Sequence, residues 1–126
     1  MAERILLDTS IIIDIFDREG DRDLLGNECH LSVISIYEYI RHKRNQQEQK
    51  LLLEGAFDII NFSNPILLKA SEIFGKLKKA GKLVNENDVY IAATAIANKL
   101  AFYTLDGDFK EIKRLFPEFQ VTVLEN

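Results

Sequence analysis

The spacing of apolar residues along the chain predicts strands that alternate with helices. Nearly continuous apolar runs at Arg4–Leu7 and Ala101–Tyr103 are typical of strands buried on both faces. Two further strands are predicted at Phe57–Phe62 and Gln120–Leu124, and a short one near Cys29–Leu31. Strands that alternate with helices favour a parallel sheet covered on both sides. We therefore predict an α/β fold, a three-layer α/β/α arrangement with a central parallel sheet of four or five strands.

The segments between these strands carry helical signals. Helices are predicted over Ser10–Asp17, Ser35–Asn45, Gln46–Gly55 and Asp88–Lys99. One more helix has apolar residues at three- and four-residue intervals from Ile66 to Ala80, and Gly81 ends it. No repeat, low-complexity tract or linker divides the chain, so residues 1–126 are predicted to form a single domain.

Composition and charge exclude several classes of protein. The chain is 47% hydrophobic and 29% charged, which is typical of a globular domain, and its 1 Cys excludes a disulfide framework. No apolar run reaches the ~18 residues of a membrane span, and the first residues lack the pattern of a signal peptide. We therefore expect a cytoplasmic protein with no membrane partner. The net charge of −4 argues mildly against simple electrostatic binding of nucleic acid.

Acidic residues follow the predicted strands at the points where ligand sites form in parallel sheets. Asp8 directly follows the first strand, and Asp106 and Asp108 follow the second of the two buried strands. Asp88 opens a predicted helix, and Glu38 lies about one turn into another. Because the carboxyl ends of parallel strands meet at one edge of the sheet, we expect these side chains to share one cleft.

Carboxylates this close together favour a divalent cation. Repulsion between like charges raises their pKa values, and a bound cation removes that conflict. Oxygen ligands without His or Cys select Mg²⁺ or Mn²⁺, and such a site suits the hydrolysis of phosphodiesters. Taken singly, each Asp is better explained as a helix cap or a turn residue. Glu38 lies in an apolar stretch, where it is either a site acid or a partner of Arg41 three residues later.

Four segments in order resemble the PIN domain, the small RNase-H-like nuclease fold of the VapC-type toxins. These segments are Leu7–Asp14, Ser32–Glu38, Asn87–Ala95 and Thr104–Phe109. The resemblance implies an acidic quartet that holds Mg²⁺ or Mn²⁺ and cleaves single-stranded RNA. The members of this quartet are Asp8, Glu38, Asp88 and Asp106.

The resemblance also implies a division of roles within the site. Asp8, Asp88 and Asp106 match the metal ligands of the family. Asp108 shares the role of Asp106 or takes it over. Thr104 orients Asp106 or a bound water through its hydroxyl, and Ser10 supports Asp8 in a similar way.

The function implied is a metal-dependent endoribonuclease that acts as the toxin of a toxin–antitoxin pair. Its expected partners are a small VapB-like antitoxin, whose C-terminal segment fills the acidic groove, and a second copy of the chain in a homodimer. Two alternatives keep the fold: an RNA-processing nuclease without an antitoxin, and a non-catalytic PIN module that binds RNA or protein. A phosphoacceptor receiver domain is disfavoured because it needs an adjacent acidic pair after the first strand.

Overall fold

In the computed structural model, which describes residues 2–125, five parallel strands form one sheet. The strands are β1 (Arg4–Leu7), β2 (Glu28–Ser32), β3 (Asp58–Ile60), β4 (Ala101–Thr104) and β5 (Val121–Val123). Their spatial order is β3-β2-β1-β4-β5, which places β1 at the centre between β2 and β4. The predicted parallel sheet is therefore confirmed.

Helices cover both faces of this sheet, which confirms the three-layer prediction. They are α1 (Thr9–Asp17), α2 (Val33–Ile40), α3 (Gln46–Ala56), α4 (Asn64–Lys79), α5 (Glu86–Ala97) and α6 (Phe109–Leu115). Successive residues of β1 point to opposite faces, so Leu6 packs in one apolar core while Ile5 and Leu7 pack in the other. Within residues 2–125, no helix combines the length and the apolar character needed to cross a membrane.

The helix α6 was not among the predicted elements. Its seven residues are fewer than the window over which helical periodicity can be recognised. Tertiary packing stabilises it instead, because Phe109 is 1% exposed and its ring centroid lies 4.8 Å from that of Phe102. Phe119 is also fully buried, and its ring stacks on Phe102 at a centroid distance of 5.5 Å.

The helix α2 is shorter than predicted. It ends at Ile40, whereas the sequence pattern predicted a helix that continues to Asn45. The chain turns after Ile40, and the Lys43 Nζ atom donates to Asp17 Oδ2 of α1 at 2.9 Å. The basic residues that follow α2 therefore belong to a turn, and one of them is attached to the end of α1.

The helix α5 begins two residues before the predicted start at Asp88. The Asn85 side chain accepts a hydrogen bond from the Asn87 backbone N–H at 2.9 Å and caps the helix at that point. The helix ends at Ala97 rather than at the predicted Lys99, whose φ of 54° is incompatible with a right-handed helix. Asp88 consequently lies inside the first turn, where a carboxylate is favoured by the helix dipole.

Candidate active site

Asp8 lies at the junction between the central strand and the first helix. Its backbone N–H donates to the Tyr103 carbonyl on β4 at 3.0 Å, and it is the residue that precedes α1. The side chain is only 5% exposed. Burial raises the pKa of this carboxyl, while hydrogen bonds from Thr104 and Ser10 oppose that rise. A buried carboxylate fixed at the carboxyl end of the central strand is suited to binding a cation.

Two hydroxyl groups hold the Asp8 carboxylate in place. Thr104 Oγ1 donates to Asp8 Oδ2 at 2.7 Å, and Ser10 Oγ donates to the same oxygen at 2.8 Å. Both hydroxyls also accept hydrogen bonds from backbone N–H groups, Thr104 from Asp106 at 2.9 Å and Ser10 from Leu105 at 3.0 Å. Each hydroxyl thus connects Asp8 to the loop after β4, which carries Asp106.

Glu38 reaches this region from the middle of α2. Thr9 Oγ1 donates to Glu38 Oε1 at 2.6 Å, and Asn87 Nδ2 donates to Glu38 Oε2 at 3.2 Å. The carboxylate is therefore held between the first turn of α1 and the first turn of α5. Its negative charge also contributes to the raised pKa of Asp8.

Asp88 is the most perturbed acid of the site. Burial of this half-buried side chain is the largest cause, and it raises the pKa of Asp88 from 3.8 to about 7 together with nearby negative charges. Those charges belong to Asp8, Asp106, Glu38 and Asp108. The negative charges of the other acids predicted from the sequence are therefore near enough to raise the pKa of Asp88.

Asp106 and Asp108 lie in the loop between β4 and α6. The Asp106 side chain is half-buried, and its Oδ1 accepts a hydrogen bond from the Asp108 backbone N–H at 2.9 Å. Asp108 itself is exposed and makes no side-chain cap for α6. Of these two acids, Asp106 is therefore the better placed to bind a ligand that Asp8 also binds.

The acids do not form a closed metal cage. Among residues 2–125, no three His, Cys, Asp or Glu side chains lie close enough together to hold an ion by themselves. The oxygen donors of the site are of the type that Mg²⁺ uses, since that ion retains several waters and is held by a few carboxylates together with substrate phosphates. The mutual repulsion at Asp88 also fits, because a divalent cation relieves it directly.

The sequence pattern missed the two residues that hold Glu38. The hypothesis that Arg41 pairs with Glu38 is wrong: the Arg41 guanidinium lies over the Tyr37 ring, 5.3 Å from its centroid. The actual partners, Thr9 and Asn87, are 29 and 49 residues away in the chain. Thr9 directly follows Asp8 in the sequence, and Asn87 directly precedes Asp88. These neighbouring positions were the available indication that both residues belong to the site.

Comparison with known proteins identifies the fold that carries this site. The PIN domain family matches residues 5–115. The chain belongs to the PIN domain family. Ribonuclease VapC1 of Methanocaldococcus jannaschii is 37% identical over 103 residues, which cover 80% of this chain and 74% of that protein.

Solved structures share the same architecture over nearly the whole PIN domain. A chain of a toxin–antitoxin complex from Klebsiella pneumoniae is 26% identical, with a TM-score of 0.74 and coverage of 97% of this chain and 99% of that one. A chain of VapBC2 from Rickettsia felis, bound to a DNA fragment from their promoter, has a TM-score of 0.78 at 23% identity and the same coverage. At 23% identity, the similarity to the VapBC2 chain shows a shared fold and nothing further.

Proposed function

We propose that this PIN domain is a metal-dependent endoribonuclease and the toxin of a toxin–antitoxin pair. The observation that carries the proposal is the hydrogen-bonded placement of Asp8 against the loop of Asp106, and of Glu38 between α1 and α5, at the carboxyl edge of a PIN sheet. A VapC ribonuclease with 37% identity supports RNA as the substrate. The proposed metal ligands are Asp8, Asp88 and Asp106, with Mg²⁺ or Mn²⁺ as the ion.

In this proposal the protein supplies a rigid set of negative charges. Thr104 and Ser10 fix Asp8, and Thr9 and Asn87 fix Glu38, so neither carboxylate has to reorganise when the substrate arrives. Asp8, Asp88 and Asp106 would hold the cation, which would supply positive charge to the attacked phosphate and lower the pKa of a water. Glu38 would be the carboxylate that accepts a proton from that water.

An antitoxin partner follows from the same electrostatics. Toxin–antitoxin complexes are among the structures that share this fold, one of them at 26% identity. A cluster of acids that repel one another is a favourable place for an Arg or Lys side chain as well as for a cation. We therefore propose that a small VapB-like antitoxin inhibits the domain by placing a basic side chain among these acids.

Cleavage of a mixed-sequence single-stranded RNA tests the proposed activity. Wild type is compared with Asp8→Asn, Asp88→Asn and the control Asp58→Asn, each in Mg²⁺, Mn²⁺ or EDTA. Asp58 is an exposed acid at the amino end of β3, away from the site, so its replacement removes one charge without touching the quartet. We expect cleavage that requires metal, persists in Asp58→Asn and is lost in both site variants, with 5′-phosphate and 3′-hydroxyl product ends.

Cleavage by the wild type in excess chelator contradicts the proposed metal dependence. Binding of RNA and metal by the folded wild type without cleavage supports the non-catalytic alternative instead. Circular dichroism of each variant, recorded before the assay, confirms that loss of activity is not loss of the fold.

A further inference from the structure

A cleft of about 390 Å³ adjoins the acidic cluster and contains one basic side chain. Ser10, Ile13, Leu105, Asp106 and Gly107 line it, together with Arg18. Ser10 is the residue that holds the Asp8 carboxylate, and Asp106 is a proposed metal ligand. The cleft is therefore continuous with the proposed metal site, and Arg18 is the cationic group along its wall.

Among residues 2–125, Arg18 forms no direct ion pair with an acid. The residue ends α1 and is exposed, and within residues 2–125 no carboxylate oxygen lies within 4.0 Å of its guanidinium. Two acids adjoin Arg18 in the sequence. Asp17 already has both oxygens engaged, since Oδ1 accepts from Tyr39 at 2.7 Å and Oδ2 from Lys43 at 2.9 Å, and Glu19 forms no ion pair with Arg18 among the described residues. The donors of Arg18 are thus available to a ligand in the cleft.

The chemistry of the cleft favours an anion that also approaches the metal site. A guanidinium binds a phosphate through two parallel hydrogen bonds, a geometry that a single ammonium group cannot reproduce. The acids of the quartet repel an RNA backbone, and a cationic side chain on the cleft wall attracts a phosphate next to the scissile bond. Gly107 adds no side chain to the wall, and nothing lies within 4 Å of where its Cβ would be, so this wall is open to a nucleotide.

We propose that Arg18 binds a backbone phosphate of single-stranded RNA beside the scissile position. This inference rests on the proposed ribonuclease function and adds a substrate-binding residue to it. Because a phosphate carries no sequence information, Arg18 contributes affinity and positions the strand without selecting a base.

The test measures RNA binding separately from turnover. Asp88→Asn serves as the background, because it removes the repulsive charge at a proposed metal ligand and is expected to stop cleavage. Fluorescence anisotropy follows a labelled single-stranded RNA of about 12 nucleotides, within the usual range of site sizes. The titration is repeated between about 50 and 200 mM salt and with oligo(A) and oligo(U).

Replacing Arg18 by Ala in that background should weaken binding by about tenfold or more, equally for both sequences. The slope of log affinity against log salt should fall by about 0.7, which corresponds to one lost contact with a single-stranded phosphate. Arg18→Lys should restore the slope but only part of the affinity, because it keeps the charge and loses the paired donors.

Arg4→Ala is the matched control. Arg4 lies at the amino end of β1, whereas Asp8 follows its carboxyl end. The Arg4 side chain pairs with Glu28 on the surface at 2.9 Å, so its loss should leave RNA binding unchanged. An unchanged affinity and salt slope in Arg18→Ala would overturn the proposal, as would an effect confined to one base sequence or an equal effect of Arg4→Ala.

Failure of the proposed ribonuclease function would give a different experimental result. If the wild type does not cleave RNA in Mg²⁺ or Mn²⁺, the ribonuclease proposal fails, while the binding comparison in Asp88→Asn still decides the role of Arg18. Absence of RNA binding by Asp88→Asn overturns the proposal for Arg18.

Discussion

Replacing Asp88 by Asn should stabilise the metal-free protein at alkaline pH. The side chain is half-buried, and burial together with the charges of Asp8, Asp106, Glu38 and Asp108 raises its pKa from 3.8 to about 7. Asn has the same shape as Asp and carries no charge. The substitution therefore removes the repulsion at the centre of the site and retains the packing.

The size and pH range of this effect follow from the raised pKa. The folded protein binds a proton at Asp88 more tightly than the unfolded chain does, so the associated stability is complete below about pH 4 and is lost as the pH rises towards 7. A shift of about three pKa units corresponds to about 4 kcal/mol if it is fully expressed. Solvent screening of a half-buried group reduces this, and we expect about 1–2 kcal/mol at pH 8.

Urea denaturation in EDTA at about pH 3.5 and pH 8 measures the difference. At pH 8 the Asp88→Asn midpoint should exceed that of the wild type by roughly 0.5–1 M. At about pH 3.5 the two proteins should nearly coincide, because Asp88 is then largely protonated in the unfolded chain as well as in the folded protein. Asp58→Asn removes an exposed acid at the amino end of β3, away from the site, and should show no such pH dependence.

Adding Mg²⁺ at pH 8 should reverse the order of stability. A ligand that binds only the folded state stabilises it by mass action, so the wild type should gain more than Asp88→Asn. The reasoning is refuted if Asp88→Asn is no more stable than the wild type at pH 8, or if the ion stabilises both proteins equally.

Three other substitutions test the contacts that support the site and the fold. Thr104→Val removes the hydroxyl that joins Asp8 to the loop after β4, so urea denaturation should show a loss of about 1–3 kcal/mol, whereas Thr122→Val on the exposed face of β5 should change little. Tyr39→Phe deletes the hydrogen bond to Asp17 that ties α2 to the end of α1, and the same assay should show a loss of about 0.5–1.5 kcal/mol. Phe119→Ala leaves a cavity at a fully buried position, and calorimetry should register a loss of about 3–5 kcal/mol.

The sequence alone predicted the sheet because its central strands are almost purely apolar. The run that became β1 is buried on both faces, and the run that became β4 alternates between fully and partly buried residues. Apolar runs of this kind have few alternative structures. The helix α6 could not be predicted in the same way. Its seven residues depend on tertiary packing of Phe109 against Phe102 and Phe119, which lie outside the helix, and helical periodicity does not reveal that packing.

The candidate site was likewise predicted only in part: the sequence indicated its acids but not the contacts between residues that are distant in the chain. Asp8 and Asp106 follow β1 and β4, so the topology of a parallel sheet was sufficient to bring them to one edge. Asp88 lies in α5, which follows the helix α4, so its position depends on how α5 packs against the sheet. The contacts of Glu38 with Thr9 and Asn87 join residues 29 and 49 positions apart, and only the folded chain identifies them. Arg18 was likewise undetected, because its position beside Asp106 depends on how the end of α1 meets the loop after β4.

The most direct test of the central claim compares metal occupancy with RNA cleavage in the same samples. Mn²⁺ is titrated into the wild type, Asp8→Asn and Asp58→Asn, and bound ion and initial cleavage rate are measured at each concentration. If the acidic quartet is a metal-dependent ribonuclease site, the two curves should coincide for the wild type and Asp58→Asn, and both should be lost in Asp8→Asn. Cleavage without bound Mn²⁺, or unchanged Mn²⁺ binding by Asp8→Asn, would contradict that claim.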